Sequence, residues 1–250
     1  MPSLNPTAEP TAAILVIGNE ILSGKVIDSN SPFLCKELRA LGVDVRRIEV
    51  IPDDVAHIAA AVHRMSAEYT HVFTSGGIGP THDDLTIEGI AAGFHTEVVR
   101  DPGLEAMLRG YYGASVNEAR LRMANVPRGA TVVCGPDVPI PFVTMENVFI
   151  LPGVPELFRR IFESVRERFA SAPFHSRRIY VKLLESDLVD ALEQVNGAYA
   201  GVEIGSYPRF EAGAPYSVML TLDGKDGDQV QEAHARLLTL IPAQSVHAVE

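Results

Sequence analysis

The chain has 250 residues, 46% of them hydrophobic, and a formal net charge of −11. That size buries a full core and predicts one or two domains. The charge excludes an electrostatic footprint for nucleic acid or an anionic membrane, because phosphate backbones repel such a field. A small anion held by local N–H groups remains open.

The two cysteines, Cys35 and Cys134, are too few for a disulfide framework or a zinc site. Both are expected to be reduced core thiols. Residues 1–11, rich in Pro, Ser and Thr, carry neither a basic nor an apolar signal region and read as a disordered tail. No run reaches membrane-spanning length, so a cytoplasmic protein is expected.

Ala12–Ile17 is an unbroken apolar run ending at Gly18, the pattern of a strand buried on both faces. Ser31 as N-cap with Pro32 at the first helical position predicts a helix whose buried stripe is Leu34, Leu38 and Leu41, stopped by Gly42. Val43–Ile51 alternates as a strand. Asp53 or Asp54 caps the next helix, with Val55, Ile58, Ala59, Val62 and Met65 as its apolar stripe. His71–Thr74 is a strand, and Leu85–Ala92 a helix.

Between them lies Ser75-Gly76-Gly77-Ile78-Gly79-Pro80-Thr81-His82-Asp83-Asp84. Three glycines in four residues strip side chains from a strand-to-helix turn and let backbone N–H groups approach a ligand. Asp83 and Asp84 follow at once. Glycines that cradle an anion beside carboxylates that hold a metal or a water suit chemistry on a phosphate ester. Asp is also a good helix cap, but two adjacent carboxylates cannot both cap one helix. His82 is either a proton donor or ligand, or simply exposed. Lys25, beside Gly24, is placed to touch phosphate as a point charge.

Ser115 and Glu118 have the spacing of a capping box. Thr131–Cys134 reads as a strand, Gly135–Pro141 as a proline-rich loop, and Phe142–Met145 with Val148–Leu151 as a hairpin turning at Glu146-Asn147. Leu151-Pro152-Gly153-Val154-Pro155 opens a helix to about Phe169. Ser171–Arg177 is a polar linker. Beyond it come strand Ile179–Leu184, helix Asp187–Tyr199, strands Val202–Tyr207 and Tyr216–Leu222, helix Asp226–Leu240 and strand Ser245–Val249.

The first part alternates strands and helices, which predicts a three-layer α/β/α domain with a mostly parallel sheet. The second is a βαββαβ order, predicting a small α+β ferredoxin-like domain. The expected domains are residues 12–172 and 176–250. Ligands of parallel sheets bind beyond the carboxyl ends of the strands, where Gly18, Asp53 and Gly76 all fall. Glu20 faces the same edge; Asp28 either accepts a ligand hydroxyl or ligates a metal, or belongs to the turn before Ser31.

The segments Gly18-Asn19-Glu20-Ile21-Leu22, Asp28-Ser29-Asn30, Gly76 through Thr86, and Leu151-Pro152-Gly153-Val154-Pro155-Glu156-Leu157 resemble the MoaB/Mog-type molybdopterin-binding domain. They look most like its branch in competence/damage-inducible protein A and like the domain fused to eukaryotic FAD synthase. The resemblance covers roughly residues 12–170. It implies a ligand site built from Gly18, Asn19, Glu20, Asp28, Ser75, Gly76, Gly77, Gly79, Thr81, Pro152 and Gly153. It further implies Asp84, Asp83 and Asp53 as catalytic residues, and Asp84, Asp53 and Glu20 as ligands of a divalent metal (Mg, Mn or Co).

The ligand so implied is a nucleotide or pterin phosphate, molybdopterin included, and the assembly a homo-oligomer, dimer or trimer. Three activities compete. They are metal-dependent hydrolysis of a dinucleotide pyrophosphate such as ADP-ribose or FAD, molybdopterin adenylyl transfer or pterin binding, and non-catalytic nucleotide sensing. Met123-Ala124 stands where the competence branch has Gln-Ala, and Gly135-Pro136-Asp137-Val138-Pro139 replaces its Gly-Thr-Ala-Pro-Gly turn, which favours a changed substrate over faithful adenylyl transfer.

Overall fold

The computed structural model describes residues 9–135, 138–211 and 213–250. The chain divides into two compact units, one ending at Ser171 and the other running from Ala172 to Glu250. Among the described residues, no helix is long and apolar enough to cross a membrane.

The first unit runs β1 (Thr11–Ile17), α1 (Asn19–Leu22), α2 (Asn30–Ala40), β2 (Asp44–Ile51), α3 (Val55–Glu68), β3 (His71–Ser75) and α4 (Thr86–Gly93). It continues through β4 (Val98–Arg100), α5 (Pro102–Tyr112), α6 (Glu118–Leu121), β5 (Asn125–Pro127), β6 (Thr131–Gly135), β7 (Val138–Met145), β8 (Val148–Leu151) and α7 (Pro155–Val165). Six strands form one sheet in the order β2-β1-β3-β8-β7-β6. β2, β1, β3 and β8 are parallel, and β7 and β6 close the sheet antiparallel.

Strand β1 shows why its sequence is apolar throughout. Ala13, Leu15 and Ile17 enter one core with Ile58, Val62, Met65 and Ile90 of α3 and α4. Ala12, Ile14 and Val16 enter the other with Leu34, Leu38, Phe158 and Phe162 of α2 and α7. A strand covered by helices on both faces has no wet side to mark with polar residues. Helices α3 and α4 pack closely at Gly89, where a Cβ would run into the Ile58 side chain.

The proline-rich segment is a correction. Val138–Met145 is a strand, not a loop. It runs beside β6 but reaches β8 only from Val143 onward. Pro139 and Pro141 therefore lie where the strand has a neighbour on one side, and their missing N–H groups cost little there. Pro136 and Asp137, which the sequence reading placed in that loop, lie outside the described residues, as does most of the tail over residues 1–11, although Thr11 already opens β1. The hairpin at Glu146-Asn147 forms as expected, with Glu146 at φ +51°. The Asn147 amide donates to the Ser66 and Tyr69 carbonyls and so ties the turn to the end of α3.

Several caps differ from expectation. Ser31 lies inside α2, and the Asp28 carboxylate receives the N–H groups of Asn30 and Ser31. For α3 the expected alternatives resolve to Asp54, which accepts the His57 N–H, a bond that also holds its carboxyl below the usual value. Ser115 and Glu118 make no capping box. Asn117 accepts the Arg120 N–H, while Glu118 pairs with Arg100. Cys134 is exposed and Cys35 only half-buried, so neither is a fully buried core thiol.

The second unit runs β9 (His175–Val181), α8 (Val189–Ala198), β10 (Val202–Pro208), β11 (Val218–Gly224), α9 (Gly227–Leu240) and β12 (Val246–Val249). Its antiparallel sheet has the order β10-β11-β9-β12, the ferredoxin-like arrangement. Strand β9 begins inside the expected linker, because His175–Arg178 pair with Thr221–Gly224. Asp226 caps α9.

One half-buried group of the first unit, His71, has a lowered proton affinity. His71 packs among Phe73, Phe149 and Phe169, and its burial lowers the imidazole pKa. The unfolded chain therefore binds this proton first as pH falls, so the stability His71 contributes is complete above about pH 6.5 and is lost progressively below it. Thermal melts should show a smaller drop in Tm between pH 7.5 and 5.5 for His71→Phe than for the wild type. Equal drops would remove His71 as the cause.

Candidate functional site

Strands β1, β2 and β3 end together, and each hands the chain to a turn at that edge. A shallow, solvent-open cleft of about 100 Å³ lies there, smaller than a pocket that encloses a whole ligand. Glu20, Asp28, Ser75, Gly76 and Gly153 of the expected residues line it, together with Asn30 and Pro155. The Glu20 carboxylate folds back over Gly18.

The glycine turn is shaped by its neighbours. Gly76 has φ +106° and Gly77 φ +65°, which glycine adopts without strain. A Cβ on Gly76 would overlap the Ile17 carbonyl oxygen, and one on Gly77 would overlap the Thr86 hydroxyl. Thr86, fully buried, donates its hydroxyl proton to the Gly76 carbonyl (2.9 Å) and its N–H to the Gly77 carbonyl (3.0 Å). Thr86 thereby locks the turn to the start of α4.

This corrects the expected donor set. The Gly76 N–H is already given to the Leu151 carbonyl (3.2 Å) and is unavailable to a ligand. The Gly18 N–H is likewise given to Ile51. Among the described residues, the N–H groups of Gly77, Ile78 and Gly79 donate to no protein acceptor. Successive free N–H groups in such a turn form an anion-binding concavity. A Gly77→Val variant would disturb the Thr86 contact and is a poor probe of ligand binding.

A second set of donors comes from α7. Pro155 occupies its first position, where a missing N–H costs nothing, and the first intrahelical bond runs from the Phe158 N–H to the Val154 carbonyl. No side chain caps the helix, so the N–H groups of Glu156 and Leu157 remain at its positive end. Pro152-Gly153 carries the chain there, and Gly153 lies against the Gly76 backbone.

The carboxylates are more dispersed. Asp53 accepts the Asn19 N–H (2.8 Å), which fixes the start of α1 rather than of α3. Asp84 accepts both the N–H (2.8 Å) and the hydroxyl (2.5 Å) of Thr81, closing a small ring after Gly79 and Pro80. Leu85, not Asp83 or Asp84, occupies the N-cap of α4. Asp83 and His82 are exposed, 3.9 Å apart. Lys25 is exposed on the turn after α1. Gly18, Asn19, Asp53, Gly77, Gly79, Thr81, Asp83, Asp84 and Pro152 do not line the cleft. Among the described residues, no three His, Cys, Asp or Glu gather into a group that could hold a metal ion. Asp84, Asp53 and Glu20 as placed therefore do not form the expected metal site.

Sequence reasoning did not single out Asn30. It is 4% exposed, and its amide nitrogen donates to the Ser75 hydroxyl oxygen and the Gly153 carbonyl, both at 2.9 Å. One side chain thus joins the starts of α2 and the glycine turn to the β8–α7 turn. A polar residue at a helix start is ordinarily read as a cap, which hid this longer reach.

Comparisons with known proteins agree with this architecture. Residues 13–171 match the family described as "Probable molybdopterin binding domain", and residues 173–250 match "FAD synthase, middle domain". A protein of Archaeoglobus fulgidus is 38% identical over 88% of this chain and 93% of its own length. A "Probable FAD synthase" of Caenorhabditis elegans is 32% identical over 95% of this chain, which spans only 51% of that relative. The solved structure of the protein CinA from Thermoplasma acidophilum, described there as of unknown function, is 31% identical with a TM-score of 0.59, covering 64% of this chain and 98% of its own. The chain belongs to the molybdopterin-binding domain family, in a form followed by a FAD synthase-type middle domain.

Proposed function

We propose that the first unit binds a phosphorylated nucleotide or pterin at this cleft and hydrolyses the phosphoanhydride of a dinucleotide such as ADP-ribose or FAD. The observation that carries the reading is that two turns with unspent N–H groups, Gly77–Gly79 and the start of α7, adjoin where Gly153 packs on Gly76, on a net-negative chain. Fixed dipoles aimed at one place stabilise phosphoryl oxygens and the charge that grows on them during attack by water. Asp84, held by Thr81 beside these donors, is the carboxylate to orient that water and accept its proton. FAD is a candidate because of the relatives named as FAD synthases.

Dependence on Mg²⁺, Mn²⁺ or Co²⁺ belongs to the proposal, although among the described residues the carboxylates are not gathered around one ion. Molybdopterin binding or adenylyl transfer is the second reading, favoured by the description of the matching family. Incubation of the purified protein with ADP-ribose, FAD, NAD and ATP, with each metal or with EDTA, separates the two once products are resolved. Metal-dependent release of AMP supports hydrolysis. Intact substrates under every condition would give the site to the second reading.

A further inference from the structure

The Asn30 amide settles which way the Ser75 hydroxyl points. Its nitrogen faces the Gly153 carbonyl, which can only accept, so the amide cannot be turned over without setting two oxygens against each other. The second proton of the same nitrogen then goes to Ser75 Oγ, which must accept it. The Ser75 proton is left to point elsewhere. Among the described residues, the Ser75 hydroxyl donates to no protein acceptor, although the residue is only 3% exposed and lines the cleft.

A nearly buried hydroxyl with an unspent proton is rare, because such donors normally find a partner. The opposite side of Asn30 carries the same sign of function over packing. Its oxygen is buried and, among the described residues, has no hydrogen-bond partner, a state that costs stability. Asn30 is therefore a poor residue for stability alone at this place.

We infer that Asn30 is a positioning residue that holds the Ser75 hydroxyl so that its proton is free to be donated to an unprotonated ligand oxygen such as that of a phosphate. The inference rests on reading the edge as a phosphate-binding site. It adds to that site a side-chain donor and the residue that orients it. A phosphoryl oxygen, which can only accept, receives the Ser75 proton directly. Asn30 acts on the ligand through Ser75.

Calorimetric titration with ADP tests this, on the full chain and on Ser75→Ala, Asn30→Ala and the double variant, each checked by its thermal melt. Ser75→Ala should weaken ADP binding about five- to tenfold, the loss of one hydrogen bond to a charged group. Asn30→Ala should weaken it by a similar factor, because the freed hydroxyl turns to other acceptors. The double variant should bind within about twofold of either single one, since both remove the same donor. A purely structural role for Asn30 through Gly153 predicts instead that the two losses multiply, and that result would overturn the relay.

Asn30→Ala binding ADP as tightly as wild type would overturn it too. Should Asn30→Ala fail to fold, Asn30→Asp takes its place. Its carboxylate draws the Ser75 proton inward, and it should bind ADP more than tenfold more weakly at pH 7.5; wild-type affinity there contradicts the relay. Wild-type protein that binds no ADP at all would sink the phosphate reading itself, and the relay with it. Wild-type binding with unaffected variants sinks the relay alone.

Discussion

Gly76→Ala is expected to cost about 3 kcal/mol of stability, the sum of backbone strain and overpacking. The residue sits at φ +106°, and its would-be Cβ meets a backbone carbonyl, Ile17 O, rather than a flexible side chain. Ile17 cannot yield easily, because β1 is hydrogen-bonded to β2 and β3 on its two edges and fully covered by both cores. Gly153, packed on Gly76, blocks movement the other way. Thermal melting should show a loss of about 6–12 °C in a unit of this size. A variant that melts within 2 °C or so of wild type would mean the turn relaxes freely, and its geometry would then lose its value as a fixed cradle.

Asp84→Asn should leave the fold intact and lower turnover at least about 100-fold, about 2.7 kcal/mol of barrier. Asparagine keeps an oxygen to receive the Thr81 N–H and hydroxyl, so the ring after Gly79 persists. It loses the charge and the basicity that a proton acceptor needs. The two effects separate cleanly, with Tm unchanged and the rate reduced. Unchanged cleavage of ADP-ribose or FAD would remove Asp84 from the reaction and leave it as the structural closure of its loop.

Much of the site was legible in the sequence because its parts are local. The apolar run before Gly18, the three glycines after Ser75 and the proline-glycine turn before α7 each announce a strand end followed by a helix start. The rule that ligands gather at such ends brought them together. Hairpin Glu146-Asn147 and the βαββαβ order were local in the same way.

What escaped depends on which groups meet across the fold. Asp28, Asp53 and Asp54 are all good caps by composition, and only the placed N–H groups decide that Asp28 serves α2, Asp53 serves α1 and Asp54 serves α3. The Gly76 N–H looked free in the sequence but belongs to the β3–β8 edge. Pro139 and Pro141 signalled a loop, yet the strand they sit in lacks a second neighbour at that height. Asn30 reaches residues 45 and 123 positions away, a contact no spacing rule displays.

The most direct measurement of where the ligand lies is amide hydrogen exchange with and without saturating ADP-ribose. Binding at the proposed cleft predicts slowed exchange at Gly77–Gly79 and at Glu156 and Leu157, whose N–H groups have no acceptor among the described residues to protect them, with residues 172–250 unchanged. Protection confined to residues 172–250, or none at those five amides while ADP-ribose is bound, would contradict it.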